Sequence, residues 1–453
     1  MNKHQTHSPG HNPAPSYRQI LHLTWPIILA NSATPLLGLA DTAIIGHTAS
    51  PQHLGAIALG ALLFNFIYWG FGFLRMSTTG FVAQAVGRDD NQAIVETTLR
   101  ALLMGVLIGL GLMLLQWPLL HTALTLFGAS DTVENIAANY FSIRIWGAPA
   151  TLGTYALMGY LIGRGLSRML LLVQLILNGL NITLDYLFAG YWDMGASGIA
   201  LGTALSEWIT FGIALRLVYQ HQMRVTRARL SLHWRQLLAH EKLMPVLKAN
   251  GNLMIRTLFL LLGFAVFTDQ SARFGDITLA ANHILLQFIS FSAFFLDGFA
   301  FASESLAGRA LGNGQRESFL ITVKRSTSLA AATALLLAVL IIVFGDTLLA
   351  LLTNLPNVQR TASSYLAWCA LYVAVSFAAF QLDGLFIGTT TTGPLRNASV
   401  LSACGFLLLC YWLTASHGNT GLWGAFVCFV LLRAVFLGAA FGSITRRLGQ
   451  THP

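Results

Sequence analysis

Apolar residues in this chain fall in long runs separated by short polar breaks, not in the alternation of a half-buried strand or the stripe of a surface helix. A helix crosses bilayer hydrocarbon with about 20 apolar residues. Twelve runs meet that length, centred near Ala33, Phe66, Ile108, Trp146, Ile176, Ile209, Phe259, Phe291, Leu336, Val373, Leu407 and Val430. The longest polar break, Gln220 to Lys242, lies about halfway along. The pattern predicts an all-α integral membrane protein with twelve transmembrane helices. Its expected order is a polar tail (1–18), a six-helix lobe (19–219), a loop (220–242), a second six-helix lobe (243–447) and a short tail (448–453).

The two lobes read as copies of each other. Ala85-Val86-Gly87-Arg88 matches Ala310-Leu311-Gly312-Asn313 at an offset of 225. The same offset takes Tyr140 to Tyr365 and Gly159-Tyr160-Leu161-Ile162-Gly163 to Gly384-Leu385-Phe386-Ile387-Gly388. Six crossings return the chain to its starting side, so both lobes enter the membrane the same way. Parallel halves related by an axis along the membrane normal, with the substrate path between them, are a transporter plan.

Composition excludes a soluble fold. Of the 453 residues, 55% are hydrophobic and 9% charged, with mean hydropathy +0.65. A soluble domain carries roughly 25% charged residues. The net charge of +9 could suit nucleic acid, but its placement explains it otherwise. Lys3, Arg18, Arg88, Arg100, Arg164, Arg168, Arg224, Arg227, Arg229, Arg235, Lys242, Arg309, Arg316, Lys324, Arg325, Arg396, Arg446 and Arg447 gather on one side, and the opposite loops hold Arg273 and Arg360. That asymmetry puts both termini in the cytoplasm and calls for no nucleic-acid partner. The N-terminus lacks the order of a cleavable signal peptide. Cys369, Cys404, Cys410 and Cys428 sit in apolar runs without a CxxC pair and read as small buried hydrophobes, with no metal expected.

No phosphate loop, HExxH or GxSxG occurs, so neither an ATP-driven pump nor an enzyme is expected. A carrier driven by an ion gradient is left, and its clues are ionisable residues inside spans. Asp41 lies in the first span behind Pro26 and Pro35, which prepare that helix to bend. On the fifth span Asn178, Asn181 and Asp185 fall at i, i+3 and i+7, stacked on one face. Tyr140, Thr203 and, one turn beyond Thr203, Glu207 are the residues expected to complete a polar pocket. Two carboxylates close together in low dielectric share a proton or a cation, which makes a coupling-ion site. The offset of 225 turns Asp41, Asn181, Asp185 and Thr203 into Val266, Phe406, Cys410 and Cys428, so a half does not need this cluster in order to fold. In the second half Asp383 is expected to pair with Arg256, Asp297 is a further candidate, and Glu304 is expected to snorkel or to pair with Arg309. His283 reads as a hydrogen-bonded helix residue. Phe64, Tyr68, Phe288 and Phe291 either pack in the bundle or line a cleft suited to apolar or cationic compounds.

Trp25-Pro26, Asp41-Thr42, Val82-Ala83-Gln84-Ala85-Val86-Gly87, the stretch Asn250 to Thr257 and Leu296-Asp297-Gly298-Phe299-Ala300 together resemble the multidrug and toxic compound extrusion (MATE) family, its DinF-type branch in particular. The resemblance covers nearly the whole chain. It implies a bacterial inner-membrane antiporter that exports drugs or toxic organic compounds for inward H+, or alternatively Na+, by alternating access, with no cofactor beyond that ion. It also implies a coupling network at Asp41, Tyr140, Asn181, Asp185 and Thr203, and function as a monomer among membrane lipids. In the NorM-type branch a tenth-span aspartate and a seventh-span glutamate are associated with cation binding. Asp383 matches the aspartate, but Arg256 stands near the glutamate's place and disfavours Na+ there. The alternatives are a flippase of lipid-linked precursors, expected to line its cavity with Arg75, Arg144 and Arg256, and an uncoupled channel or receptor.

Overall fold

The computed structural model describes residues 14–48, 51–127, 130–226, 237 and 239–450, all of it helix and connecting turns without a strand among the described residues. Each predicted centre falls inside a helical span. The first is Tyr17–Thr48. The second joins Pro51–Gly70 to Phe73–Gly87, the third Asn91–Leu114 to Gln116–Phe127, and the fourth Asp131–Arg144 to Ala148–Gly163 through a 3-10 turn at Ile145–Gly147. Ser167–Asp185, continued by wider π-helical turns at Tyr186–Tyr191, is the fifth and Gly195–Val225 the sixth. His240–Arg273, Asp276–Gly312, Arg316–Leu352 and Pro356–Gly388 follow as the seventh to tenth. Thr392–Ala440 supplies the last two, divided at Gly418, whose φ of 57° and ψ of −134° stop one helix and start the next. The helix Gly442–Gln450 ends the described chain.

In the first span a single helix runs through Pro26 and Pro35. The sixth span also outlasts its hydrophobic run, continuing through Gln220 to Val225, because polar residues extend a helix into water as readily as apolar ones do in lipid.

The duplication is written in the backbone. Adding 225 to the helix ends Gly87, Leu114 and Gly163 gives 312, 339 and 388; the first and last are again helix ends, Gly312 and Gly388, while the third span's break at Leu115 is bridged in its mate. Left-handed residues recur in the same way: Asp89 (φ 54°) with Gly314 (68°), Gly165 (64°) with Thr390 (51°), and Asp193 (54°) with Gly418 (57°). Around the first two pairs the hydrogen bonds are those of a Schellman end. Asp90 N–H reaches Ala85 C=O at 2.9 Å and Gln315 N–H reaches Ala310 C=O at 3.1 Å; Leu166 N–H reaches Leu161 C=O at 2.7 Å and Thr391 N–H reaches Phe386 C=O at 2.9 Å.

The halves meet where these repeated ends converge. Gly87 and Gly312, mates in the repeat, face each other so closely that a Cβ on either would run into the other's backbone. Beside them Gln84 donates to Gly388 C=O at 3.1 Å and to Thr390 Oγ1 at 3.0 Å. Ser305 donates to Gly163 C=O at 3.3 Å. All of this lies at the basic end of the bundle, by Arg88, Arg164 and Arg309.

Candidate ion-coupling site

Leu, Ile and Met residues make the fifth span a helix that lipid accepts, and one face of it is polar. Asn178, Asn181 and Asp185 are all buried, Asp185 completely, and Asn181 and Asp185 face the sixth span. Asn181 Nδ2 donates to Thr203 Oγ1 across the two helices at 3.0 Å. Gly202, beside Thr203, lets the helices close: a side chain there would strike Asp185 Oδ1. Directly after Asp185 the helix widens into its π turns, a rare irregularity that is frequent at functional sites. Asn178 Nδ2 is buried without a hydrogen-bond partner, a polar group retained at a cost.

Tyr140 is buried on the fourth span, and its hydroxyl accepts a hydrogen bond from Arg144 at 2.7 Å. Arg144 lies 4.7 Å above the ring of Phe64. Glu207 joins this second group: its carboxylate covers Gly147 in the 3-10 turn, with Arg144, Tyr68 and Thr151 around it. The first half thus holds two adjoining polar groups, Asn181–Thr203 with Asp185 and Arg144–Tyr140 with Glu207. Pro26 is buried in the first span, which packs along the fifth and the eighth. Asp41 and Pro35 lie on the same helix, but their side chains are outside the described residues.

In the second half Arg256 pairs with Asp383 as expected. Arg433 of the twelfth span adds a second guanidinium, 2.6 Å from the same Oδ2. Arg433 escaped the sequence reading although a lone arginine within the run from Leu422 to Leu437 was its signal. Asp297 is half-buried, in the field of Arg75 and Arg256. Glu304 is a correction: it is 1% exposed, too deep to snorkel, and accepts from Arg75 of the other half at 3.0 Å and 3.5 Å. Arg75 also lies 3.8 Å over Phe301. Arg309, its expected partner, donates to Gly163 C=O at 3.4 Å.

Phe64, Tyr68 and Phe288 are core residues, whereas Phe291 is exposed. Of the cysteines, Cys369 and Cys410 are buried and Cys428 partly so; Cys404 is exposed, because a thiol on an outward helix face meets lipid and costs nothing there. His283 is exposed on its helix, 3.3 Å from Gln287. Among the described residues no three His, Cys, Asp or Glu side chains group as a metal site.

The MatE family model matches residues 26–187 and 253–412, one segment in each half, with far ends 225 apart. The chain belongs to the MatE family. It is 36% identical over 429 residues to "DNA damage-inducible protein F" of Escherichia coli K12, covering 94% of this chain and 92% of that protein. "Probable multidrug resistance protein NorM" of Bacillus subtilis is 21% identical, with 96% of this chain and 97% of the relative covered. The solved Vibrio cholerae MATE transporter VcmN in its bent form superposes with TM-score 0.83 at 22% identity, covering 96% and 97% of the two chains. An outward-facing multidrug resistance MATE transporter of the MOP superfamily superposes with TM-score 0.85 at 19% identity, covering 96% and 97%. These matches give this MatE protein the twelve-helix fold of membrane transporters and set it apart from enzymes.

Proposed function

We propose that this MatE protein is a secondary antiporter of the bacterial inner membrane, exporting small organic compounds, apolar or cationic, in exchange for inward H+. The observation that carries this reading is the completely buried Asp185 next to the Asn181–Thr203 hydrogen bond, in the half whose repeat lacks all three residues. An amide and a hydroxyl can donate to a carboxylate or accept from a carboxylic acid, so the cluster accommodates both protonation states, which a coupling site requires. Na+ is the alternative ion for the same acids. Tyr140, beside Arg144, and Asp41, on the span packed against the fifth, complete the network.

In this reading the termini and the 220–242 loop are cytoplasmic, residues 19–219 and 243–447 are the moving lobes, and the chain works as a monomer. The tight meeting of Gly87 with Gly312 then closes the cytoplasmic side, an outward-facing state. Protonation of Asp41 and Asp185 rearranges their hydrogen bonds and disfavours the substrate-bound state. Such coupling exists only where the two states bind the proton with different affinity. A lipid-linked pyrophosphate would need free guanidiniums, but Arg75, Arg144 and Arg256 are engaged by Glu304, Tyr140 and Asp383.

The test compares wild type with Asp41→Asn in liposomes, following a fluorescent cationic dye under an imposed pH gradient and then a Na+ gradient. Dye movement on the pH gradient, lost in the folded variant, is expected. Movement unchanged in Asp41→Asn overturns the site, and movement on Na+ alone overturns the coupling ion.

A further inference from the structure

At the basic end of the bundle a cavity of ~500 Å³ opens between the start of the first span and the start of the fifth. Its rim is cationic. Arg18 and His22 stand one turn apart on the first helix, and Arg168 faces them from the fifth. Arg18 and Arg168 are exposed, and neither forms an ion pair with a described residue. Its inner wall is apolar, made by Leu23 and Met169.

Two further features give this cavity a specific chemistry. Ser167 opens the fifth helix with no side-chain cap, so the first-turn amides of Ser167, Arg168 and Met169 have no intrahelical acceptor and the helix dipole favours an anion there. Ser167 is itself buried in the cavity wall. On the first helix Tyr17 and Trp25, both largely exposed, bracket Arg18 and His22, as aromatic side chains do at the level of lipid headgroups. A cationic rim above an apolar wall, at headgroup depth, matches a phosphate that carries acyl chains.

We propose that this cavity binds the phosphate of an anionic phospholipid, held by Arg18, Arg168 and the first-turn amides of the fifth span. With two guanidiniums and a ring N–H at the rim, a phosphodiester is welcome and a choline group is repelled. The bound lipid ties the first span to the fifth, the pair of packed helices that carry Asp41 and Asp185. Free inorganic phosphate shares the headgroup chemistry but leaves the apolar wall uncovered.

Native mass spectrometry of the full chain, titrated in detergent with phosphatidylglycerol or with phosphatidylcholine of the same acyl chains, reads the site. Wild type is expected to retain phosphatidylglycerol preferentially, and Arg18→Ala with Arg168→Ala to weaken that retention about thirtyfold, two guanidinium contacts being lost. Arg360→Ala, at the opposite end of the bundle, is expected to leave it unchanged. Equal retention by the double variant, or no discrimination between the two lipids in wild type, overturns the site. Displacement of the lipid by inorganic phosphate at comparable concentration makes the free anion the ligand and overturns the lipid assignment. If the double variant does not fold, Arg168→Gln alone reads the same contact, with about a fivefold loss expected and none overturning the proposal.

Discussion

The two halves share a backbone but differ in what they bury. In the second half every buried acid seen is held by a fixed cation: Asp383 by Arg256 and Arg433, Glu304 by Arg75. Several of its other buried polar groups bond to one another. Ser303 and Ser326 both donate to Gln381 Oε1, at 2.8 Å and 2.6 Å, and Asn282 meets Asn419 and the Trp423 indole. In the first half the corresponding interior carries Asn181, Thr203 and Asp185, where the second has Phe406, Cys428 and Cys410. A guanidinium fixes a carboxylate in its charged form, whereas amides and hydroxyls serve either form. In the proposed reading, the same helical frame carries the coupling acid in one half and an arginine-held acid in the other.

The largest effect that can break this comparison is at Asp185. Asp185→Asn keeps the size and the hydrogen-bonding surface but removes the ionisable carboxyl. Gradient-driven dye flux in liposomes is expected to fall about 5- to 150-fold, the range of a coupling free energy between two sites, with the melting temperature nearly unchanged. Unaltered flux would put the coupling elsewhere and erase the distinction between the halves.

How much of this was legible in the sequence follows from the length scale of each signal. Spans and duplication were readable because lipid forces an apolar run for each crossing and a repeat leaves a constant offset. The face shared by Asn178, Asn181 and Asp185 was readable because helical periodicity is local. Glu304 was misassigned because its nearest cation in sequence, Arg309, is five residues away, while its partner Arg75 is 229 residues away on the other half. Arg433 was missed for a related reason: its role exists only once the seventh, tenth and twelfth spans converge on Asp383. Local periodicity cannot say which helix lies opposite. Glu207 sits one turn from Thr203 yet joins Arg144, because a turn along a helix in a tight bundle changes the neighbouring helix.

Stability should show the opposite asymmetry from transport. Asp383→Ala removes the carboxylate that pairs with both the buried Arg433 and the partly buried Arg256, and removing one partner of such a group costs about 3–5 kcal/mol. Thermal unfolding in detergent is expected to show that loss, where Asp185→Asn shows almost none. Equal melting temperatures for the two variants would contradict the view that the second-half acid is structural.

The ion pair between the halves sharpens the comparison further. Glu304→Ala alone strands Arg75 in the interface and is expected to cost about 3–5 kcal/mol, whereas Arg75→Met with Glu304→Leu, which removes both charges, should recover most of it. The double variant reads out whether the pair contributes stability or only alignment of the two halves. Additive single effects in a double-mutant cycle would mean that the two side chains do not interact.

The smallest effect tests the backbone equivalence itself. Asp89 and Gly314 occupy the same left-handed position at matching helix ends, with φ of 54° and 68°. A side chain there crowds its own backbone, at a cost of about 1–2 kcal/mol for an ordinary L residue and less for Asp. Glycine avoids that strain but gives back part of the gain through the greater freedom of its unfolded chain. Asp89→Gly should therefore stabilise by about 0.5 kcal/mol and Gly314→Asp destabilise by a similar amount, read as opposite shifts in melting temperature. The third comparison is Thr390, the left-handed mate of Gly165, whose hydroxyl accepts from Gln84 at 3.0 Å across the halves. Thr390→Gly relieves the same strain while giving up that hydrogen bond, worth about 0.5–1.5 kcal/mol, so its net change should be near zero or unfavourable. A clear stabilisation by Thr390→Gly would mean that the Gln84 contact contributes nothing to holding the halves together.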